Sequence, residues 1–376
     1  RALESRASDV HIEPFENHLK VRYRIDGILY EIDPPPRQLK AAIISRLKIL
    51  AQLNIAERRL PQDGRIKIKI AGKDVDLRIA TIPTLYGESV VIRLLERSQI
   101  FADLESLGFP PAVLQCFSEM ISKPHGMVLV TGPTGSGKTT TLYGALQKIN
   151  DPGKKIITIE DPVEYQLSGV NQIQVKPQIG LTFANGLRSI VRQDPDIIMV
   201  GEIRDFETAE IAIQAALTGH LVFSTLHTND AAGAISRLLE MGVQDYLLAS
   251  SLLGVLAQRL VRRLCSSCRK EVASAEFRIQ DSGFRVQDGD PQPALWEASG
   301  CGSCSGTGYR GRIGIFELLP ATPEICKLIV QRADVASIRS LAVTQGMRLL
   351  RDDGWGKARD GTTTLGEVLR VTREEG

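Results

Sequence analysis

Aromatic residues make up only 5% of this chain, and two of its residues are tryptophan. Proteins that hold single-stranded nucleic acid stack bases on aromatic rings over a basic groove, so this scarcity argues against such a role. Charge of one sign is also lacking: 46 Lys plus Arg stand against 44 Asp plus Glu, a net charge of +2. That balance lends no support to a nucleic-acid partner. No apolar run reaches the roughly 18 to 20 residues that span a bilayer. The nearest case, "YLLASSLLGVLAQRLV" at 246–261, is interrupted by Ser, Gln and Arg and reads as a buried helix. The opening "RALESRASDV" has no signal-peptide pattern and no initiating Met, so the chain is expected to be part of a longer one. Internal repeats and low-complexity tracts are missing as well.

What is present fits a soluble globular protein of more than one domain, with 43% hydrophobic and 24% charged residues over 376 positions. Residues 9–100 alternate with period two in "LKVRYRIDGILYEI", "GRIKIKIAGKDVDLRIATI" and "ESVVIRLL". These read as hairpins, and "QLKAAIISRLKILAQL" between them has helical spacing. We assign 1–100 to an α+β domain and 101–125, with its paired prolines, to a linker and helix start. From Gly126 the texture changes to continuous apolar runs, "GMVLVT", "KIITIE", "DIIMVG" and "HLVFSTL". Such runs are expected of buried parallel strands joined by helical crossovers, and they define a core over 126–262. A four-cysteine segment follows at 263–311, and a region expected to be helical at 312–376.

The first apolar run leads into "GPTGSGKT", residues 132–139. A glycine-rich turn between strand and helix curves backbone N–H groups around phosphate oxygens. Gly132, Pro133, Thr134, Gly135, Ser136, Gly137, Lys138, Thr139 and Thr140 are therefore candidate nucleotide-binding residues. Lys138 is placed to reach the β and γ phosphates and Thr139 to offer its hydroxyl to magnesium. Two further strands deliver acids: Glu160 in "ITIEDPVEY" and Glu202 in "IIMVGEIRD". Either acid can orient or deprotonate an attacking water, and the residue types alone leave that choice open. His227, with Thr225 and Asn229 after the last run, is placed to sense the γ phosphate, while His220 precedes the same strand. Metal binding by either histidine is not expected, because no partner lies at ligand spacing. Cys265 and Cys268, with Cys301 and Cys304, form two Cys-x-x-Cys pairs expected to close a structural zinc site. Cys116 and Cys326 read as ordinary buried residues. The fold class is thus α/β: a P-loop NTPase core of mostly parallel sheet with helices, preceded by an α+β domain and carrying a small zinc-binding subdomain.

In this order, "GPTGSGKT", "ITIEDPVEY", "IIMVGEIRD" and "GHLVFSTLHTND" resemble the Walker A, aspartate box, atypical Walker B and histidine box of the secretion-superfamily ATPases. "SRASDVHIEP", "RYRIDG", "RLPQDGRI" and "GYRGRIGIFELL" extend the likeness over nearly the whole chain. The motors of type II secretion and type IV pilus assembly are the most similar. The resemblance implies a homo-hexameric ring that binds ATP and Mg2+, with catalytic glutamates at Glu160 and Glu202 and histidines at His220 and His227. It also implies arginines of the N-terminal domain approaching the phosphates, with Arg78 and Arg93 the best matches and Arg65 and Arg204 weaker ones. A forked guanidinium suits developing phosphate charge; the alternative is that these arginines simply face solvent. Assembly motors of this kind carry the four-cysteine zinc site, whereas retraction motors usually lack it. The implied function is a cytoplasmic ATP hydrolase that powers pseudopilus assembly in type II secretion and meets the bacterial inner membrane through platform proteins. That contact is usually made by an extended N-terminal region not seen in this sequence. The alternatives are a pilus-extension motor, a nucleic-acid-handling P-loop motor, and a scaffold that binds ATP without hydrolysing it.

Overall fold

The structure is a computed structural model and describes residues 1–70, 73–96, 103–272 and 295–373. The chain divides into two compact units, Arg1–Ile100 and Phe101–Gly376.

In the first unit, strands β1 (Ala7–Pro14), β2 (Leu19–Ile25) and β3 (Ile28–Ile32) precede helix α1 (Lys40–Leu50). Strands β4 (Gln62–Ile70), β5 (Lys73–Thr84) and β6 (Gly87–Glu96) follow. All pair antiparallel in the order β3-β2-β1-β6-β5-β4. The alternating sequence directs Ile12, Val21, Ile66, Ile79 and Val90 to one face, where Ile44 of α1 joins them. Between β2 and β3 the two turn residues Asp26 and Gly27 both have positive φ, 49° and 90°, the conformation that matches strand twist in a two-residue hairpin. Lys48 is buried on the core side and its ammonium lies 2.6 Å from the Glu88 carboxylate.

The second unit begins with α2 (Pro111–Ile121), β7 (Gly126–Thr131), α3 (Lys138–Ile149), β8 (Ile156–Glu160) and β9 (Val170–Gln174). It continues through α4 (Phe183–Ile190), β10 (Ile197–Val200), α5 (Phe206–Leu217), β11 (Leu221–Leu226), α6 (Ala231–Glu240) and α7 (Asp245–Ser251). The last elements are β12 (Leu252–Leu264), β13 (Arg269–Val272), β14 (Leu295–Ala298), β15 (Tyr309–Pro320), α8 (Pro323–Val330), α9 (Val335–Thr344), α10 (Leu350–Arg359) and α11 (Leu365–Thr372). Seven strands form one sheet in the order β15-β12-β7-β11-β10-β8-β9. Every residue of β7, β8, β10 and β11 is buried, as expected of parallel strands covered on both faces. Val128, Val130 and Phe223 pack with Phe117 of α2 and Leu142 and Leu146 of α3. Met127, Leu129, Val200 and Val222 face the other way, into a cluster that includes residues of α4 to α9.

Three expectations need correction. The segment read as one buried helix over 246–261 is a short helix, α7, followed by the long strand β12. Period and length could not separate a buried helix from a buried strand here. The decision is tertiary: β12 pairs parallel with β7 and antiparallel with β15, and so completes the sheet. For the same reason 312–376 is not helical throughout, because its first residues belong to β15. Part of 101–125 is α2, packed in the second unit's core rather than strung between domains.

Candidate functional site

The parallel register brings the carboxyl ends of β7, β8, β10 and β11 to one edge: Thr131 pairs with Leu226, and Val200 with both Ile159 and Ser224. Ligands of open α/β sheets bind at that edge. There the chain leaves β7 through Gly132, Gly135 and Gly137, with φ of 150°, 80° and 89°, and enters α3 at Lys138. Gly132 tolerates no side chain, since a Cβ would lie 2.5 Å from the Gln258 carbonyl oxygen and 2.6 Å from Ser136 Oγ. Gln258 of β12 braces the loop from below. Its Nε2 donates to the Ser136 carbonyl at 2.7 Å, and its Oε1 accepts from Thr141 Oγ1 at 2.8 Å. Pro133, Thr134, Gly135, Thr139 and Thr140 are exposed, whereas Ser136 and Lys138 are buried.

Lys138 Nζ folds back to donate to the carbonyls of Gly132 at 2.7 Å and Pro133 at 3.2 Å. Burial pulls its ammonium down to about 8, with Glu202 opposing the shift and Arg259 adding to it. A bound phosphate favours the charged form and raises that value. Nucleotide affinity should therefore hold between pH 6 and 8 and decline above about pH 8, by up to about tenfold per pH unit. Calorimetric titration with ADP across pH 7 to 9.5 measures this; an affinity unchanged over that range would refute it.

Glu202 is reached through Gly201, where a Cβ would press to 3.3 Å from the Ile159 carbonyl oxygen and 3.4 Å from Glu160 Cα. Its carboxylate bonds Arg204 at 2.6 Å and His227 Nε2 at 3.3 Å, and only 12% of its side-chain surface is exposed. Asp205 then caps α5 by accepting from Thr208 N. Glu160 has different surroundings. It is buried, and its oxygens accept from Tyr143, from Thr158 Oγ1 at 2.6 Å and from Gln172 Nε2 at 3.1 Å. Burial, reinforced by the Glu160 charge, pushes the Tyr143 phenol well above its ordinary range. The two acids of the sequence reading thus share an edge but not an environment. His227 lies at that edge, half exposed. His220 lies at the opposite end of β11, where its carbonyl accepts from Gly126 N and its Nδ1 is 2.9 Å from the Ala215 carbonyl oxygen.

Arg78 and Arg93 belong to the first unit and are directly opposed on β5 and β6, with Arg65 of β4 opposite Arg78. Asp9 opposes Arg93 and also Arg24, so one cross-strand row carries Arg65, Arg78, Arg93, Asp9 and Arg24 on a single face. Like charges directly opposed across strands repel. Buried Asp9 relieves part of this, accepting from Arg93 Nε at 2.9 Å.

The four paired cysteines converge. Their sulfur atoms all lie within 4.8 Å of one another, with Cys265–Cys301 at 3.9 Å, Cys268–Cys304 at 3.8 Å and Cys301–Cys304 at 3.8 Å. Four thiolates about 2.3 Å from a tetrahedral zinc stand about 3.8 Å apart, so the donor set fits that ion. Backbone N–H groups of Cys301 and Gly308 donate to Cys304 Sγ at 3.1 and 3.2 Å, which suits a thiolate. The polar insert between the pairs falls mostly within 273–294, outside the described residues; the β13–β14 hairpin at its base sets Trp296 against Arg269 and Gly361. Cys116 and Cys326 are half-buried rather than buried.

Tyr143, Gln172, Gln258 and Arg259 were not singled out from sequence. The signal for the last two was present: a Gln-Arg pair inside the apolar run "GVLAQRLV" is unusual in a strand that is otherwise core.

The family described as Type II/IV secretion system protein matches residues 1–370. The type II secretion system protein E of Xanthomonas campestris pv. campestris is 57% identical over 373 residues, 99% of this chain and 66% of that protein. The type IV pilus assembly ATPase PilB of Myxococcus xanthus is 53% identical over 373 residues, 99% of this chain and 66% of its own length. Among solved structures, the pilus retraction motor PilT with bound ADP aligns with a TM-score of 0.64 at 26% identity, covering 100% of this chain and 95% of that one. The chain therefore spans just under two thirds of the length of the two sequence relatives. Among the described residues no helix is long and apolar enough to cross a membrane.

Proposed function

The chain belongs to the type II/IV secretion system protein family, and on that premise we propose that it is an ATP hydrolase, the motor that powers pseudopilus assembly in type II secretion. One observation carries the reading. A glycine loop holds a buried lysine against its own carbonyls, and an acid paired with a half-exposed histidine stands on the neighbouring strand end. Incoming phosphate oxygens compete for the Lys138 ammonium, and the loop N–H groups and the start of α3 add their partial charge. Magnesium, if bound, would supply positive charge against the phosphates. The exposed Thr139 hydroxyl and the Glu202 carboxylate are hard oxygen donors that fit that ion, directly or through its waters. Glu202 orients the attacking water, and His227 fixes the direction of that carboxylate. Glu160, held by three side-chain donors, keeps Tyr143 and the β8 edge in place. Arg78 and Arg93 supply forked donors to the γ phosphate in a homo-hexameric ring. Zinc in the cysteine cluster has a structural role. The motor works at the cytoplasmic face of the inner membrane, held there by platform proteins.

Type IV pilus assembly is the second reading, because PilB stands only four percentage points of identity below the secretion protein (57% minus 53%, each over 373 residues). A phosphate-release assay tests the shared core of both. Turnover should rise more steeply than linearly with protein concentration as rings form, ignore single-stranded DNA, and fall at least about a hundredfold in Lys138→Ala. Stimulation by DNA would favour a nucleic-acid motor, and no turnover in the intact protein would favour a scaffold.

A further inference from the structure

Arg259 lies in the middle of β12 with 8% of its surface exposed, and the proposed reaction gives it no part. Its Nη2 donates to the Asn229 carbonyl at 2.7 Å and to Asn229 Oδ1 at 3.1 Å, and its Nη1 donates to the Gln258 carbonyl at 3.1 Å. That same Gln258 oxygen is the atom that crowds Gly132, and a Cβ on Gly132 would lie 3.2 Å from Arg259 Nη1. The guanidinium therefore stands between the first glycine of the phosphate loop and the loop after β11, two residues beyond His227.

Both loops are otherwise braced from several sides. Thr228 bonds Thr131 through its backbone N–H at 2.9 Å and its hydroxyl at 2.7 Å. Asp230 caps α6 and pairs with Arg339 of α9. Among the described residues no carboxylate forms an ion pair with Arg259. Glu317 and Asp230 act on it only at longer range, and burial lowers its pKa below the usual arginine value. A buried cation without a paired anion is expensive, and an apolar side chain would fill this strand position at lower cost. A function for the charge accounts for its presence better than packing does.

We propose that Arg259 is a positioning residue that couples occupation of the phosphate loop to the placement of His227, and through it of Glu202. The Gly132 carbonyl accepts from Lys138. When phosphate draws Lys138 away, the Gly132 peptide is free to adjust. Arg259, gripping Asn229 with one arm and the Gln258 peptide with the other, transfers that adjustment to the histidine loop. The coupling deepens the ATP-hydrolase reading and rests on it for its consequence, but it is a property of binding and can be measured without turnover.

The test compares wild type, R259Q, R259K, H227A and R259Q/H227A in three measurements: affinity for a fluorescent ADP analogue, steady-state phosphate release, and hydrogen exchange at 227–230 with and without ADP. In the wild type, ADP should slow exchange at 227–230. R259Q should bind ADP within about threefold of wild type, lose that protection, and show a kcat at least about tenfold lower with little change in KM. R259K keeps the charge but cannot span both carbonyls, and should fall between. It carries the same test should R259Q not fold. Because both changes act through His227, the double variant should be about as slow as the slower single one. Unchanged kcat and protection in R259Q would overturn the proposal, as would costs that multiply in the double variant. Parallel loss of ADP affinity and kcat in both R259Q and R259K would also overturn it, by reducing Arg259 to a prop for the loop. A wild type that shows the ADP-dependent protection but no turnover would sink the hydrolase reading and leave the coupling standing.

Discussion

Glu202→Gln is expected to cut ATP turnover at least about a hundredfold while leaving ADP affinity within a few-fold of wild type. The substitution keeps the side chain's size and one of the two oxygens that meet Arg204 and His227, but removes the charge that orients or deprotonates water. A loss confined to kcat is the mark of an interaction made in the transition state. Steady-state phosphate release beside an ADP-binding titration measures it. Glu160→Gln provides the contrast. Glu160 is buried among Tyr143, Thr158 and Gln172, and an amide would set an N–H against one of those donors. That change should lower stability by about 1 to 3 kcal/mol as well as any activity, read as an earlier denaturant midpoint. Wild-type kcat in Glu202→Gln would remove that acid from the reacting centre.

Stripping the cysteine cluster of metal, or replacing Cys304 by Ser, should give the largest loss of stability of any local change in the chain. Zinc bound to four thiolates is folding free energy for whatever it ties together. Here zinc would tie residues 265–268 to 301–304, the base from which the β13–β14 pair and Trp296 dock near Gly361. The expected results are one zinc per chain by elemental analysis and four thiols that react with a disulfide reagent only after chelation. A fall in Tm on the order of 5–10 °C should accompany metal loss. ADP binding should survive, because the phosphate loop is braced by Gln258 in the middle of β12, several residues before the first cysteine. Four freely reactive thiols in protein purified without chelator, with no zinc, would refute the metal assignment.

Much of this was legible in the order of residues, and the reason differs from feature to feature. The phosphate loop was legible because its function is carried by contiguous backbone: glycines at 132, 135 and 137 with the lysine that follows. The buried parallel strands were legible because cover on both faces leaves no polar alternation in "GMVLVT" or "HLVFSTL". The hairpins of the first unit showed through period two. That Arg65, Arg78 and Arg93 form one row was not legible, because the register of paired strands is set by turn geometry rather than by the strand residues themselves. β12 was misread as helix for a related reason. Its residues suit either state, and what selects the strand is a vacant place between β7 and β15, separated from it by well over a hundred residues on one side and about fifty on the other.

By itself, the sequence determined the chemistry available at this site: a loop for phosphates, two acids at strand ends, a histidine, and four thiols in metal spacing. Each of these is local, set by neighbours in the chain whose backbone geometry their own side chains dictate. Only the tertiary structure decided how that chemistry is divided: Glu160 enclosed by Tyr143, Thr158 and Gln172, Glu202 open towards His227, and Arg259 set between two loops. Those differences come from burial and from hydrogen bonds between segments distant in sequence, and both arise when the sheet closes and water leaves.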